Sequence, residues 1–169
     1  MDAAVKSKST PGSAKAGKIR KVGVIGAGQM GAGIAHVAAL AGYEVSLNDL
    51  KKEAVEKALG NIQKNMARQV TRGVIKDADM QAALKRIGQA PTFEALGNCD
   101  LVIEAATEDE SIKRKIFQEL CPKLSKSALL ASNTSSISIT RLAAATDRAE
   151  QFIGMHFMNP VPLMQLVEV

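Results

Sequence analysis

Lys21-Val22-Gly23-Val24-Ile25-Gly26 is a short β-branched run that ends in a glycine, and two more glycines follow at set intervals in Gly26-Ala27-Gly28-Gln29-Met30-Gly31. The next residues, Gly31 to Leu40, are Ala-rich with apolar side chains at helical spacing, and Ala41-Gly42 closes them. A buried strand that turns through glycines straight into a helix restricts the chain to very few architectures. Gly26 permits the tight turn out of the strand, Gly28 lets a pyrophosphate approach the backbone, and Gly31 lets the helix pack against the strand. The helix start then offers unpaired N–H groups and partial positive charge to phosphates. Tyr43 to Asp49 reads as a second strand, completing a β-α-β unit, and Asp49 stands 18 residues after Gly31. A carboxylate at that strand end accepts hydrogen bonds from a ribose diol. Gly26, Gly28, Gln29, Met30, Gly31 and Asp49 are therefore the candidate dinucleotide contacts. Asp49 repels a 2′-phosphate, which favours NAD over NADP, although Lys51 and Lys52 relieve part of that repulsion.

The same alternation continues down the chain. Lys51 to about Val70 is a long amphipathic surface helix with Ala54, Ala58, Ile62 and Met66 four residues apart. A further helix runs to Arg86 from Asp77 or Asp79, either of which can cap it, and Arg86 to Ala90 reads as a short strand. Leu101–Glu104 and Leu129–Ser132 are buried strands, with helices expected over Ser111–Leu120 and Ser138–Ala145. Phe152–His156 and Leu166–Val169 read as two strands joined by the Pro160-Val161-Pro162 turn. Strands and helices alternating at these lengths predict an α/β fold: a Rossmann-type doubly wound, mostly parallel sheet with helices on both faces. At 169 residues the chain is one domain over 20–169 behind a basic leader, long enough to bury a real core.

Composition narrows the function classes. Aromatic residues are 3% with no Trp, which argues against base-stacking surfaces for single-stranded nucleic acid. The formal charge of +5 is that of residues 1–21, the leader and its junction: Lys6, Lys8, Lys15, Lys18, Arg20 and Lys21 face only Asp2, and the remainder is balanced. Residues 1–19 are too polar to bury and are expected to be disordered, so no nucleic-acid partner is expected of the folded part. No apolar run approaches a membrane-spanning length, and the leader lacks a secretory apolar centre, which points to a cytoplasmic protein. Cys99 and Cys121 form no CxxC pair and sit among apolar neighbours, so they read as reduced packing residues, with no disulfide and no metal site expected.

The chemistry must come from the second half. His36 lies inside the first helix among Ala and Val and reads as a packed or helix-surface histidine. His156 ends an apolar strand ahead of Phe157-Met158-Asn159-Pro160, and the return of the last strand brings Glu168 towards it although they stand 12 residues apart. These segments, with Val24-Ile-Gly-Ala-Gly-Gln-Met-Gly-Ala-Gly-Ile-Ala, Val102-Ile-Glu-Ala-Ala-Thr-Glu, Ala131-Ser-Asn-Thr-Ser-Ser, Met155-His-Phe-Met-Asn-Pro-Val-Pro-Leu-Met and Leu166-Val-Glu, resemble the 3-hydroxyacyl-CoA dehydrogenases, most closely the bacterial 3-hydroxybutyryl-CoA dehydrogenases, over Arg20 to Val169. The resemblance implies His156 as catalytic base, Glu168 as its partner carboxylate, Ser135 at the substrate hydroxyl and Asn159 as a supporting residue in the same turn. It implies Glu108 and Lys113 near the nicotinamide ribose, and Arg68 and Arg72 near the CoA phosphates. Ser135, in a Ser/Thr-rich turn, is also open to reading as a helix cap.

Members of that family continue beyond the position of Glu168 with a helical domain that closes the acyl site and makes most of their dimer interface; the sequence departs from the pattern there, so it is expected to be either a cofactor-binding fragment of a longer enzyme or a complete chain that works differently. The implied partner is an acyl-CoA. Two other readings remain open: an NAD-binding module without turnover, and a dehydrogenase of free hydroxyacids, whose relatives use a catalytic lysine in place of the His and Glu pair.

Overall fold

A computed structural model describes residues 18–169; the expected leader lies, up to residue 17, outside the described residues. Six strands form one parallel sheet: β1 (Lys21–Ile25), β2 (Glu44–Asn48), β3 (Ile87–Gln89), β4 (Leu101–Glu104), β5 (Leu129–Ser132) and β6 (Phe152–Gly154), ordered β3-β2-β1-β4-β5-β6. The order reverses direction between β1 and β4, so a crevice opens there at the carboxyl ends of the strands. Five helices cover the faces: α1 (Gln29–Leu40), α2 (Lys52–Thr71), α3 (Asp77–Arg86), α4 (Glu110–Leu120) and α5 (Ile139–Ala143).

The two faces follow from the two-residue period of the strands. Val22, Val24, Leu101 and Ile103 point to the α1–α3 side and pack with Ile34, Ala35, Ile62, Met66 and Ala83. Ile25, Val102 and Leu130 point to the other side, against Phe117 and Leu120 of α4 and Leu142 of α5. Phe117 meets Phe152 edge to face, with ring centres 4.9 Å apart. Along α2 the buried residues are Val55, Ala58, Ile62 and Met66, so the helix lays one stripe on the core. Side chains such as Ile62 and Met66 each stabilise the fold by roughly 1.5–3 kcal/mol when fully buried.

Local details depart from the sequence reading in three places. Neither Asp77 nor Asp79 is the N-cap of α3; the cap is Lys76, and Asp79 reaches back to accept from the Lys76 N–H at 3.3 Å. Helix α4 starts one residue earlier than expected because Asp109 caps it, accepting from the Ile112 N–H at 3.0 Å. The expected strand Phe152–His156 is divided. Phe152–Gly154 pairs in parallel with β5, whereas β7 (His156–Phe157) leaves the sheet edge and pairs antiparallel with β8 (Val167–Glu168). The side chain of Asn133 draws it away, with Oδ1 accepting from the Phe157 N–H at 2.8 Å beyond the end of β5.

Candidate active site

The glycine corner is made by what its residues lack. Gly26 holds φ +99°, and a Cβ there would sit 2.6 Å from the Ala105 carbonyl oxygen and Ala106 Cα. A Cβ on Gly31 would lie 1.7 Å from the Gly26 carbonyl oxygen, so this position admits only glycine while α1 starts where it does. Gly28 has nothing within 4 Å of that point. It is the extended N-cap of α1; no side chain caps the helix, and no acid stands in its first turn. The first-turn N–H groups thus meet open space at Gly28, the cradle an anionic pyrophosphate fits. At the end of β2, Asp49 accepts from the Ala27 N–H at 2.8 Å through Oδ2 and from the Lys51 N–H at 3.0 Å through Oδ1. The carboxylate is thereby aimed at the corner with lone pairs left for a diol. The site fits a dinucleotide.

Two depressions flank the corner. A cleft of about 630 Å³ runs between α1, α2 and the 159–162 turn and includes Asp49, Lys57, Lys64 and Arg68. A groove of about 280 Å³ on the other side is bordered by Gly28, Gln29, Met30, Glu108, Lys113 and Asn133.

The smaller groove rests on charge. Glu104, the last residue of β4, is fully buried, and so in effect is Lys113 of α4; Nζ donates to Glu104 Oε2 at 2.6 Å. The same oxygen accepts from Ser132 Oγ at 2.8 Å, and Oε1 from the Ala106 N–H at 2.8 Å. Glu108 Oε2 lies 3.9 Å from Lys113 Nζ. Its Oε1 collects the Ser135 N–H at 2.9 Å, the Ser136 N–H at 3.2 Å and the hydroxyls of Thr134, Ser135 and Ser136. Desolvation pushes the Glu108 carboxyl up, but these hydrogen bonds and the Lys113 charge outweigh it, and the group sits below its ordinary value.

The hairpin brings His156 and Glu168 directly opposite one another. His156 Nδ1 lies 2.9 Å from Glu168 Oε2, which leaves Nε2 for a ligand. The turn that follows is pinned to the first helix twice. Gln29 Nε2 donates to Asn159 Oδ1 at 3.0 Å, and Val161 is buried against Gly33, where a Cβ would stand 2.7 Å from Val161 Cβ. Histidine, carboxylate and glycine corner are thus held together by elements more than a hundred residues apart in sequence.

Ser135 bonds to Glu108 and caps no helix; the cap of α5 is Ser138, whose Oγ accepts from the Arg141 N–H at 3.3 Å. Arg68 borders the large cleft, but Arg72 stands at the C-cap of α2, one turn further along the same face and outside both depressions. His36 is fully buried with Nε2 3.0 Å from Gln69 Oε1; burial lowers its pKa below 6.5, and the Gln69 bond only partly offsets that. Three contributors escaped the sequence reading: Glu104, Asn133 and Gly33. All three lie inside segments that carried the resemblance, and a glycine inside the helix was a further sign of Gly33. No helix among the described residues is long and apolar enough to cross a membrane.

Comparisons with known proteins agree with the fold. Residues 21–169 match the family model for the NAD binding domain of 3-hydroxyacyl-CoA dehydrogenase. A 3-hydroxybutyryl-CoA dehydrogenase of Bradyrhizobium diazoefficiens is 60% identical over 151 residues, covering 89% of this chain and 52% of that protein. The fatty acid oxidation complex subunit alpha of Psychrobacter cryohalolentis is 42% identical, covering 99% of this chain and 23% of that protein. The crystal structure of (S)-3-hydroxybutyryl-CoA dehydrogenase from Ralstonia eutropha superposes with a TM-score of 0.86 at 45% identity, over 89% of this chain and 53% of that one. The chain spans about half the length of the dehydrogenases it matches.

Proposed function

The chain belongs to the 3-hydroxyacyl-CoA dehydrogenase family, matching its NAD binding domain, and from that premise we propose that it serves hydride transfer at C3 of a short 3-hydroxyacyl-CoA, with His156 as base. The observation that carries this reading is the His156–Glu168 pair at 2.9 Å, fastened through Asn159 and Gln29 to the glycine corner. NAD bound at that corner supplies the hydride acceptor in oxidation and, as NADH, the donor in reduction. Gly26, Gly28 and Gly31 admit its pyrophosphate, the backbone at Gln29 and Met30 starts the helix beneath it, and Asp49 takes the ribose diol. With both Asp49 oxygens already fixed by N–H groups, a 2′-phosphate meets a carboxylate that is not free to turn away, so NAD is preferred over NADP.

In oxidation the substrate O–H proton passes to His156 Nε2 as the C3 hydride leaves, and a ketone remains. Glu168 accepts from Nδ1–H, which fixes the tautomer with Nε2 unprotonated and stabilises the imidazolium that forms. In reduction Nε2–H returns the proton to the ketone oxygen. Ser135 Oγ donates to Glu108 and keeps its lone pairs for the substrate hydroxyl. Arg68, with Lys57 and Lys64, gives the large cleft the positive charge that CoA phosphates require, whereas Arg72 does not border it.

The test is NADH absorbance in the presence of acetoacetyl-CoA, with free acetoacetate as control. CoA-dependent loss of NADH supports the reading. Equal loss with the free acid favours a hydroxyacid dehydrogenase, and tight NADH binding without turnover favours a binding module.

A further inference from the structure

We infer that Glu104 is a positioning residue for the cofactor: it holds the Lys113 ammonium at the floor of the smaller groove and keeps it from moving onto Glu108. The inference rests on the reading above that Lys113 and Glu108 serve the nicotinamide ribose.

Two carboxylates compete for one ammonium. Lys113 Nζ is 2.6 Å from Glu104 Oε2 and 3.9 Å from Glu108 Oε2, so only the buried partner is hydrogen bonded. Among the described residues Nζ has no second acceptor, so donors remain for a ligand in the groove that Lys113 borders. A buried ion pair is a poor source of stability, since an apolar pair of similar size serves as well or better. Its retention here is explained by where it places the charge. Besides Lys113 of α4, Glu104 also reaches the β4–α4 connection and the end of β5, both of which border the groove. It takes the Ala106 N–H on the β4–α4 connection and Ser132 Oγ at the end of β5, and its carbonyl oxygen accepts the Asn133 N–H at 2.8 Å. With the Glu104 charge removed, Glu108 is the one carboxylate left within 4 Å of Lys113 Nζ among the described residues. Closing the 3.9 Å gap draws Glu108 from the Ser135 and Ser136 N–H groups and takes the ammonium off the groove floor into a pair with Glu108, which occupies donors otherwise left for a ligand.

The experiment measures the binding of NADH and of ADP, the adenosine half alone, to the 169-residue chain and to E104Q, K113M and the double variant. E104Q is expected to weaken NADH about tenfold, the loss of one charge-assisted hydrogen bond, with ADP affinity unchanged. The double variant is expected to bind NADH no more weakly than K113M does, because Glu104 acts through Lys113. It removes both buried charges together, so it keeps its fold even if K113M strands a carboxylate. Unchanged NADH affinity in E104Q, parallel loss of NADH and ADP, or additive losses in the double variant each overturn the inference. An unmutated chain that binds ADP but not NADH overturns instead the placement of the nicotinamide on which it stands.

Discussion

The two ends of the proposed cofactor site are built by opposite means. At the glycine end the binding surface is backbone, and its requirement is the absence of side chains: 1.7 Å separates a hypothetical Cβ on Gly31 from a carbonyl oxygen. At the other end the surface is side chain, and its requirement is a balance among Glu104, Lys113 and Glu108. Volume governs the first and charge the second. A site of this kind fails in two distinguishable ways, one visible as lost folding or blocked approach, the other as lost alignment in a folded protein.

The largest expected effect lies at the His156–Glu168 pair, which like the charged end works through side chains. His156→Gln keeps the size of the side chain but cannot relay a proton, so kcat should fall about 10³-fold with NADH affinity unchanged. Retained turnover in that variant removes the base assignment. On the glycine side, Gly31→Ala should cost roughly 3 kcal/mol of stability, read from urea unfolding, because the backbone it meets cannot move aside cheaply. Gly28→Ala sharpens the contrast. Nothing in the protein opposes that methyl group, so stability should hold while NADH affinity drops about tenfold, 1.4 kcal/mol, from obstruction of the pyrophosphate. Equal affinity would mean that the phosphates lie elsewhere.

The smallest effect concerns pH. The glycine end covers one buried titratable side chain, His36, whose pKa burial lowers below 6.5. The unfolded chain therefore takes up the proton first as pH falls, so the stability from neutral His36 is intact above 6.5 and declines below it. Thermal unfolding midpoints should drift down below pH 6.5, and His36→Gln should flatten that drift. An identical slope in the variant assigns the acid sensitivity to other groups.

The sequence displayed these two ends unequally. The glycine corner, the two strands beside it and Asp49 were legible because they are local: a β-branched run, glycines at fixed intervals and an acid at the next strand end. The antiparallel return of Glu168 to His156 was legible for a similar reason, since a proline-rich turn joins its strands. The Glu108 contacts were not, because 26 to 28 residues and a helix lie between that carboxylate and the hydroxyls it collects. Glu104 ends an apolar run and looks like a strand boundary until its neighbours in space are known. The division of Phe152–His156 is also tertiary, since the Asn133 side chain decides where the strand leaves the sheet. Arg72 was grouped with Arg68 because the two share a helical face, and the sequence does not show that the cleft ends a turn before Arg72.

The seat of Val161 on Gly33 joins residues 128 positions apart. During synthesis from the N-terminus, β1, α1 and β2 emerge long before the turn that roofs them. The glycine corner itself waits for β4 and Ala105, and the contact of Val161 with Gly33 comes later still, so the hairpin of His156 and Glu168 is the last part of the sheet's carboxyl edge to be put in place.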